Sequence, residues 1–253
     1  MRRTILLVAM MAVSLLVASG VALAVNKIGT DGPDILQGTN KADNLLGKGG
    51  NDGLFGKGGS DNLLGGEGKD WVLGGNERSP QGGDKNLVGG PGNDGVLGGK
   101  GSDNMLGESG NDYVYGHTGS DTLVGGEGRD LIEGWTGSDR MLGGGGGDLI
   151  VDGLLNEASR DDVLSGGDGD DILIANHVPA VKDTVSCGGG FDRVLADRKD
   201  VVADDCEKVR VLRGSEEEVL EQEDAFFESL PPALIDFFGN TFFEEELAPF
   251  PNV

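Results

Sequence analysis

Large apolar residues recur along most of this chain at a fixed interval. From Gly29 onward the eighth position of a nine-residue unit is aliphatic, often with a second large apolar residue directly after it and glycine next. Leu36, Leu45, Leu54, Leu63 and Val72 open the series, and Leu123, Ile132, Ile150 and Leu173 carry it on. A three-residue segment x-U-x, with U aliphatic, turns U to one face and its neighbours to the other, which predicts one short strand per unit. The six residues before it form a turn. One inward residue per strand makes a thin core, and a repeat fold fills it by stacking identical rungs. In a coil with two strands per turn, consecutive units alternate sides and every second unit stacks.

Aligned on its clearest copies the unit reads Gly-Gly-x-Gly-x-Asp-x-U-x. Gly65–Leu73 and Gly98–Leu106 are full copies. Unbroken units run from Gly29 to Leu73 and from Gly89 to Val151, separated by a longer unit, Gly74–Val88, which holds an insertion. The spacing loosens after Val151, with a long unit from Asp152 to Ser165, a perfect copy from Gly166 to Ile174, and further units ending near Leu195. The sixth position holds Asp34, Asp43, Asp52, Asp61 and Asp70, then Asp94, Asp103, Asp112, Asp121, Asp130, Asp139 and Asp148, then Asp162, Asp171, Asp183 and Asp192. This register predicts stacked carboxylates, among them Asp34 with Asp52, Asp43 with Asp61, Asp94 with Asp112 and Asp130 with Asp148.

Stacked carboxylates at a strand spacing of ~4.8 Å repel unless a cation lies between them. Glycines at the first, second and fourth positions permit positive φ and bring backbone carbonyls together. Carbonyl and carboxylate oxygens in a flexible loop suit Ca²⁺, whereas Mg²⁺ demands stricter geometry and keeps its waters. The turns carry no set of Cys and His ligands, which argues against zinc. The sixteen aspartates are therefore the candidate metal ligands, for multiple Ca²⁺ ions, and the chain is expected to be largely unfolded without calcium and to order on binding it. Lys41 replaces the fourth-position glycine of one unit, Lys85 stands at the sixth position of the inserted unit, and Arg160 replaces the glycine before Asp162; those sites are expected to be weak or absent. The insertion around Glu77–Pro80 is expected to bulge out and divide the roll into two blocks.

From Gly29 to about Val209 the chain resembles bacterial hemolysin-type (RTX) calcium-binding proteins, whose signature is this nonapeptide. The segment Asp183–Val194, followed by Asp205-Cys206-Glu207, looks like the end-cap of small secreted members. The resemblance implies an all-β fold, a parallel β-roll or β-solenoid, with Ca²⁺ held between loops by the sixth-position Asp and by carbonyls of the glycine turns. Family members that are enzymes or toxins carry a separate catalytic or pore-forming region before the repeats. Only Val25–Ile28 lie here between the expected cleavage site and the first unit.

The remaining segments divide as follows. Residues 1–24, with Arg2 and Arg3, an apolar run from Ile5 to Leu23 and an Ala22-Leu23-Ala24 ending, read as a secretory signal peptide, the competing reading being an uncleaved anchor. Residues 25–195 form the roll, with insertions near 74–88, 152–160 and 175–182, and residues 196–213 form an end-cap. Cys187 and Cys206, the only two cysteines, predict a disulfide in an exported chain. Residues 214–253 form an acidic tail with no basic residue and seven of the nine phenylalanines. Ser215 with Glu218 makes a capping box, and Val219, Leu220, Phe226, Phe227 and Leu230 fall at helical spacing before Pro231-Pro232. The tail is expected to fold back and cap the apolar end of the roll; binding a partner through its Phe doublets and a residual export signal are the alternatives. His117 and His177 belong to no catalytic arrangement and read as exposed turn residues. Trp71, Tyr113, Tyr115 and Trp135 read as surface aromatics, the alternative being a sugar-stacking or adhesive stripe.

Charge changes the picture in one respect. With 44 acidic and 20 basic residues the formal net charge is −24, which argues against a nucleic-acid partner. No catalytic residues are assigned. The expected function is that of a non-enzymatic, extracellular, calcium-binding repeat protein with a structural, surface or adhesive role and no membrane span after signal cleavage. The alternatives are a non-catalytic remnant of an exported hydrolase or toxin, and a calcium-dependent module that binds a cell-surface or exported protein through its tail.

Overall fold

A computed structural model describes residues 23–76, 83–84, 86–153, 161–177 and 179–213, together with Gln222, Ala225, Phe226 and Leu230. Residues 1–22 of the expected signal peptide and most of the acidic tail lie outside the described residues. Among the described residues no helix is long and apolar enough to cross a membrane.

The chain winds as an all-β parallel β-solenoid. Successive strands alternate between two ten-stranded sheets, so that every strand pairs with the next but one. The first sheet runs from Asn26–Ile28 to Val201–Val202, and the second from Ile35–Gln37 to Lys208–Val211. The register follows the repeat: Leu45 lies beside Leu63, and Val114 beside Val96 and Ile132. From Leu36 to Val194 the strands send their eighth-position residue into the space between the sheets. Leu54, Leu63, Val72, Leu123, Ile132, Ile150 and Leu173 are wholly buried there, and together with their equivalents they make one continuous apolar seam.

Two expectations are corrected. Most strands are longer than x-U-x, as in Asn44–Gly49 and Trp71–Asn76. Pairing continues into the glycine turn because identical turns stack in register, so Lys48 pairs with Gly66 and Gly49 with Glu67. Nor does the insertion after Asn76 divide the roll. Leu63 pairs with Leu87 and Trp71 with Gly95 across it, so both sheets run through.

The glycines are required where the coils approach most closely. A side chain on Gly47 would begin 2.2 Å from Asp52 Oδ2 and 2.3 Å from the carbonyl oxygen of Gly65. Gly66 has φ +116°, and a Cβ there would lie 2.1 Å from the Lys48 carbonyl oxygen.

At the carboxyl end a disulfide joins Cys187 to Cys206, 19 residues apart. Gln222, Ala225 and Phe226 are helical. Phe226 and Leu230 are buried in a cluster with Ile172, Ile174, Leu195 and Leu212, against which Leu149 and Val151 also pack. The first three of these alternate with the inward residues Leu173 and Val194, so they stand on the outer face of the second sheet. This part of the tail therefore covers a side of the roll rather than its end. The unit's flanking positions are apolar on these late rungs, and that surface needs a cover.

Candidate metal centre

Asp43 and every later predicted aspartate through Asp192 are at most 2% exposed. Their carboxylates turn inward where the turn meets the strand and form two ladders, one along each edge of the coil. In each ladder the backbone N–H of one aspartate donates to Oδ1 of the aspartate one coil further on. Asp34 donates to Asp52 at 2.7 Å, Asp94 to Asp112 at 2.8 Å and Asp130 to Asp148 at 2.8 Å. The other ladder includes Asp43 to Asp61 at 2.7 Å and Asp103 to Asp121 at 2.8 Å. The ladders cross the later insertions as well, from Asp148 to Asp171 and from Asp162 to Asp183.

The second oxygen behaves differently along the coil. In the first two units a threonine at the second position satisfies it: the backbone N–H and the hydroxyl of Thr30 donate to Asp34 Oδ2, and those of Thr39 to Asp43 Oδ2. Oδ2 of Asp52, Asp61, Asp70, Asp94, Asp121 and Asp148 is buried without a hydrogen-bond partner. Leaving a buried acceptor unmade costs ~1–3 kcal/mol, and more for a charged group. Asp52 Oδ2 and the Gly65 carbonyl oxygen converge on the same space beside Gly47. The available donors are thus carboxylate and carbonyl oxygens, the set that Ca²⁺ takes.

Burial sets the charge state of these acids. It pushes Asp94, Asp121 and Asp148 up to about 8 and Asp130 and Asp139 to about 7, against an ordinary carboxyl value of 3.8. Backbone N–H donation lowers each, and neighbouring ladder acids raise each. Nearer the ends the shift is smaller, to about 6 for Asp61, Asp70 and Asp171.

Several residues escaped the sequence reading. Asp84, not Lys85, holds the ladder position of the inserted unit: it accepts from Asp61 at 2.7 Å and donates to Asp103 at 2.6 Å. The unit carries one extra residue between its aspartate and its strand, and a register counted back from Leu87 misses it. At the carboxyl end Asp200 accepts from Asp183 and Glu207 from Asp192, closing the two ladders. His177 is 4% exposed and not a surface turn residue, because it stands inside the coil between Asp152 and Asp183. His117 is exposed, as expected. Tyr115 gathers Tyr113, His117 and Trp135 around it at ring distances of 5.7–5.9 Å on the outer face of the second sheet.

A two-sheet parallel coil with a buried carboxylate at each turn defines a metal-binding β-solenoid. A family model of the RTX calcium-binding nonapeptide repeat matches residues 28–63, 47–77, 82–114, 115–150 and 159–176. These segments cover more than half of the chain, which belongs to that family and is a calcium-binding repeat protein. A search of curated proteins finds no match to the chain.

Proposed function

We propose that this is an exported calcium-binding β-roll that folds on meeting Ca²⁺ outside the cell and serves a structural, surface or adhesive role. The observation that carries this is the pair of aspartate ladders, in which the buried second oxygens of Asp52, Asp61, Asp70, Asp94, Asp121 and Asp148 have no proton donor. Those oxygens need a cation, and without one the acids must either hold protons or repel one another. Bound Ca²⁺ neutralises the carboxylates and supplies the missing partner. The sixth-position aspartates from Asp52 to Asp192 are the ligands of this reading. Asp34 and Asp43 contribute less, since Thr30 and Thr39 already satisfy them. Extracellular-type sites have Kd values of about 10⁻⁴–10⁻³ M, so cytosolic calcium leaves them empty. The leader-like segment 1–24 supports export in the unfolded state, with folding afterwards. Phe226 and Leu230, packed on the second sheet, support a covering role for the tail rather than a partner-binding one.

Far-UV circular dichroism of the chain lacking residues 1–24, with excess EDTA and then with millimolar Ca²⁺, tests the reading. A β spectrum that forms only with calcium is expected, with saturable binding by calorimetry. A full β spectrum in EDTA at neutral pH would overturn it.

A further inference from the structure

One corner of the coil has lost its glycine turn. Val151 pairs with Glu133, so Asp152 stands where Gly134 stands one coil earlier. Asp152 keeps the stacking, accepting from Trp135 N–H and donating to the Ile174 carbonyl oxygen at 3.0 Å. Ile174 pairs with Val151, so Ala175, Asn176 and His177 continue the same edge one coil on. Where other turns present small residues and carbonyls, this one presents a carboxylate and an imidazole.

The three side chains meet in the interior. His177 Nε2 lies 3.7 Å from Asp152 Oδ2, and His177 Nδ1 lies 3.4 Å from Asp183 Oδ2. One donor atom from each of the three can be chosen so that all lie within 4.8 Å of one another. The His177 side chain is 2% exposed, and neither ring nitrogen has a hydrogen-bond partner. A buried imidazole with both nitrogens unmade, facing two buried carboxylates, is costly unless something binds them together.

We propose that Asp152, His177 and Asp183 form a separate site for a first-row transition metal ion of the zinc class. An imidazole ligand separates this site from the all-oxygen ladders: calcium takes oxygen donors, whereas zinc takes His nitrogen and Asp oxygen. The two separations run from different ring nitrogens, and one ion takes only one of these. Four-coordinate bonds of ~2.0–2.1 Å need neighbouring ligand atoms roughly 3.3–3.5 Å apart, so the ion draws inward donors that lie within 4.8 Å of one another. The site reassigns Asp183 from the calcium ladder. It lies where the repeats become irregular, so a tightly held ion there fixes the last coils independently of calcium.

The test uses the chain saturated with Ca²⁺ and exposed to Zn²⁺, followed by gel filtration and elemental analysis. One equivalent of zinc retained in millimolar calcium is expected. His177→Gln should weaken that binding by more than the about 10–100-fold that loss of a second-shell partner costs. His117→Gln should leave it unchanged. Both cysteines are in a disulfide, so no thiol competes. No zinc retained, or zinc retained equally by His177→Gln, would overturn the proposal. Should His177→Gln fail to fold, ¹⁵N resonances of the buried imidazole in the His117→Gln protein decide. A metal-type shift of one ring nitrogen on adding zinc supports the site; a ring with both nitrogens protonated and unmoved by zinc rejects it.

Discussion

Among the described residues, five side chains stand where the backbone has positive φ: Lys48, Lys57, Glu108, His117 and Trp135, with φ between 71° and 91°. All five occupy the second position of the repeat, which most units fill with glycine. An L-residue there costs ~1–2 kcal/mol. Lys48 is exposed, so Lys48→Gly should release that strain less glycine's larger unfolded-state entropy. A net gain of about 0.5–1 kcal/mol is expected from denaturant titration of the calcium-loaded protein. Gly66→Ala is the converse. Its new Cβ would meet the Lys48 carbonyl oxygen at 2.1 Å, backbone that cannot swing aside, and a loss of about 2–4 kcal/mol is expected in the same titration. Among the ladder acids, Asp121→Asn should lower the number of calcium ions bound, whereas Asp34→Asn should change it little. The difference follows from Oδ2, which is unpartnered in Asp121 and held by Thr30 in Asp34; calorimetric stoichiometry reads it. Most of the glycines and aspartates were legible because their spacing is constant within each unbroken block. Asp84, Asp152 and His177 were not, because each lies beside an insertion, where distance along the chain no longer gives position around the coil.

At the scale of elements, period nine determined the alternation of strands between two sheets, and the inward aliphatic determined which face is core. Strand length was not legible. It depends on turns pairing with turns, which a single unit does not display. The cover on the second sheet was half legible: Phe226 and Leu230 stood out at helical spacing, but their target did not. That target is made by apolar residues at flanking positions, Ile172, Ile174 and Leu195, which a repeat reading assigns to solvent. Phe226→Ala should loosen this docking by roughly 1–3 kcal/mol and raise binding of an apolar dye to the calcium-loaded protein. The disulfide acts on the same end of the coil. Closing a loop of this length contributes ~3 kcal/mol in the chain-entropy model, so replacing Cys187 and Cys206 with Ser should lower the melting temperature. Hydrogen exchange should then show the rungs after Asp183 opening first, while the rungs around Val114 stay protected.

For the whole molecule the decisive quantity is charge carried inward. Part of the formal charge of −24 lies in the two ladders, buried to a few per cent exposure or less. Burial raises the central acids from 3.8 to about 8, so the folded, metal-free coil binds protons more tightly than the unfolded chain does. A raised acid costs the fold nothing below the unfolded value, because both states are then protonated. It costs progressively more as pH climbs from about 4, and the full amount above about 8. Protons and calcium are therefore alternative occupants of the same carboxylates. In EDTA, the β signal and the melting temperature should fall between pH 5 and pH 8. In saturating calcium the fold should persist across that window, and calcium affinity should rise with pH up to about 8. Calcium uptake at pH 5, where the metal-free coil is folded with its central acids protonated, should release protons, measurable by calorimetry in buffers of different ionisation enthalpy, whereas uptake at pH 7 by the unfolded, already ionised chain should release few. A metal-free chain equally unfolded at pH 5 and pH 8, with no proton release on binding, would show that the ladders are ionised before calcium arrives and that repulsion alone keeps the coil open.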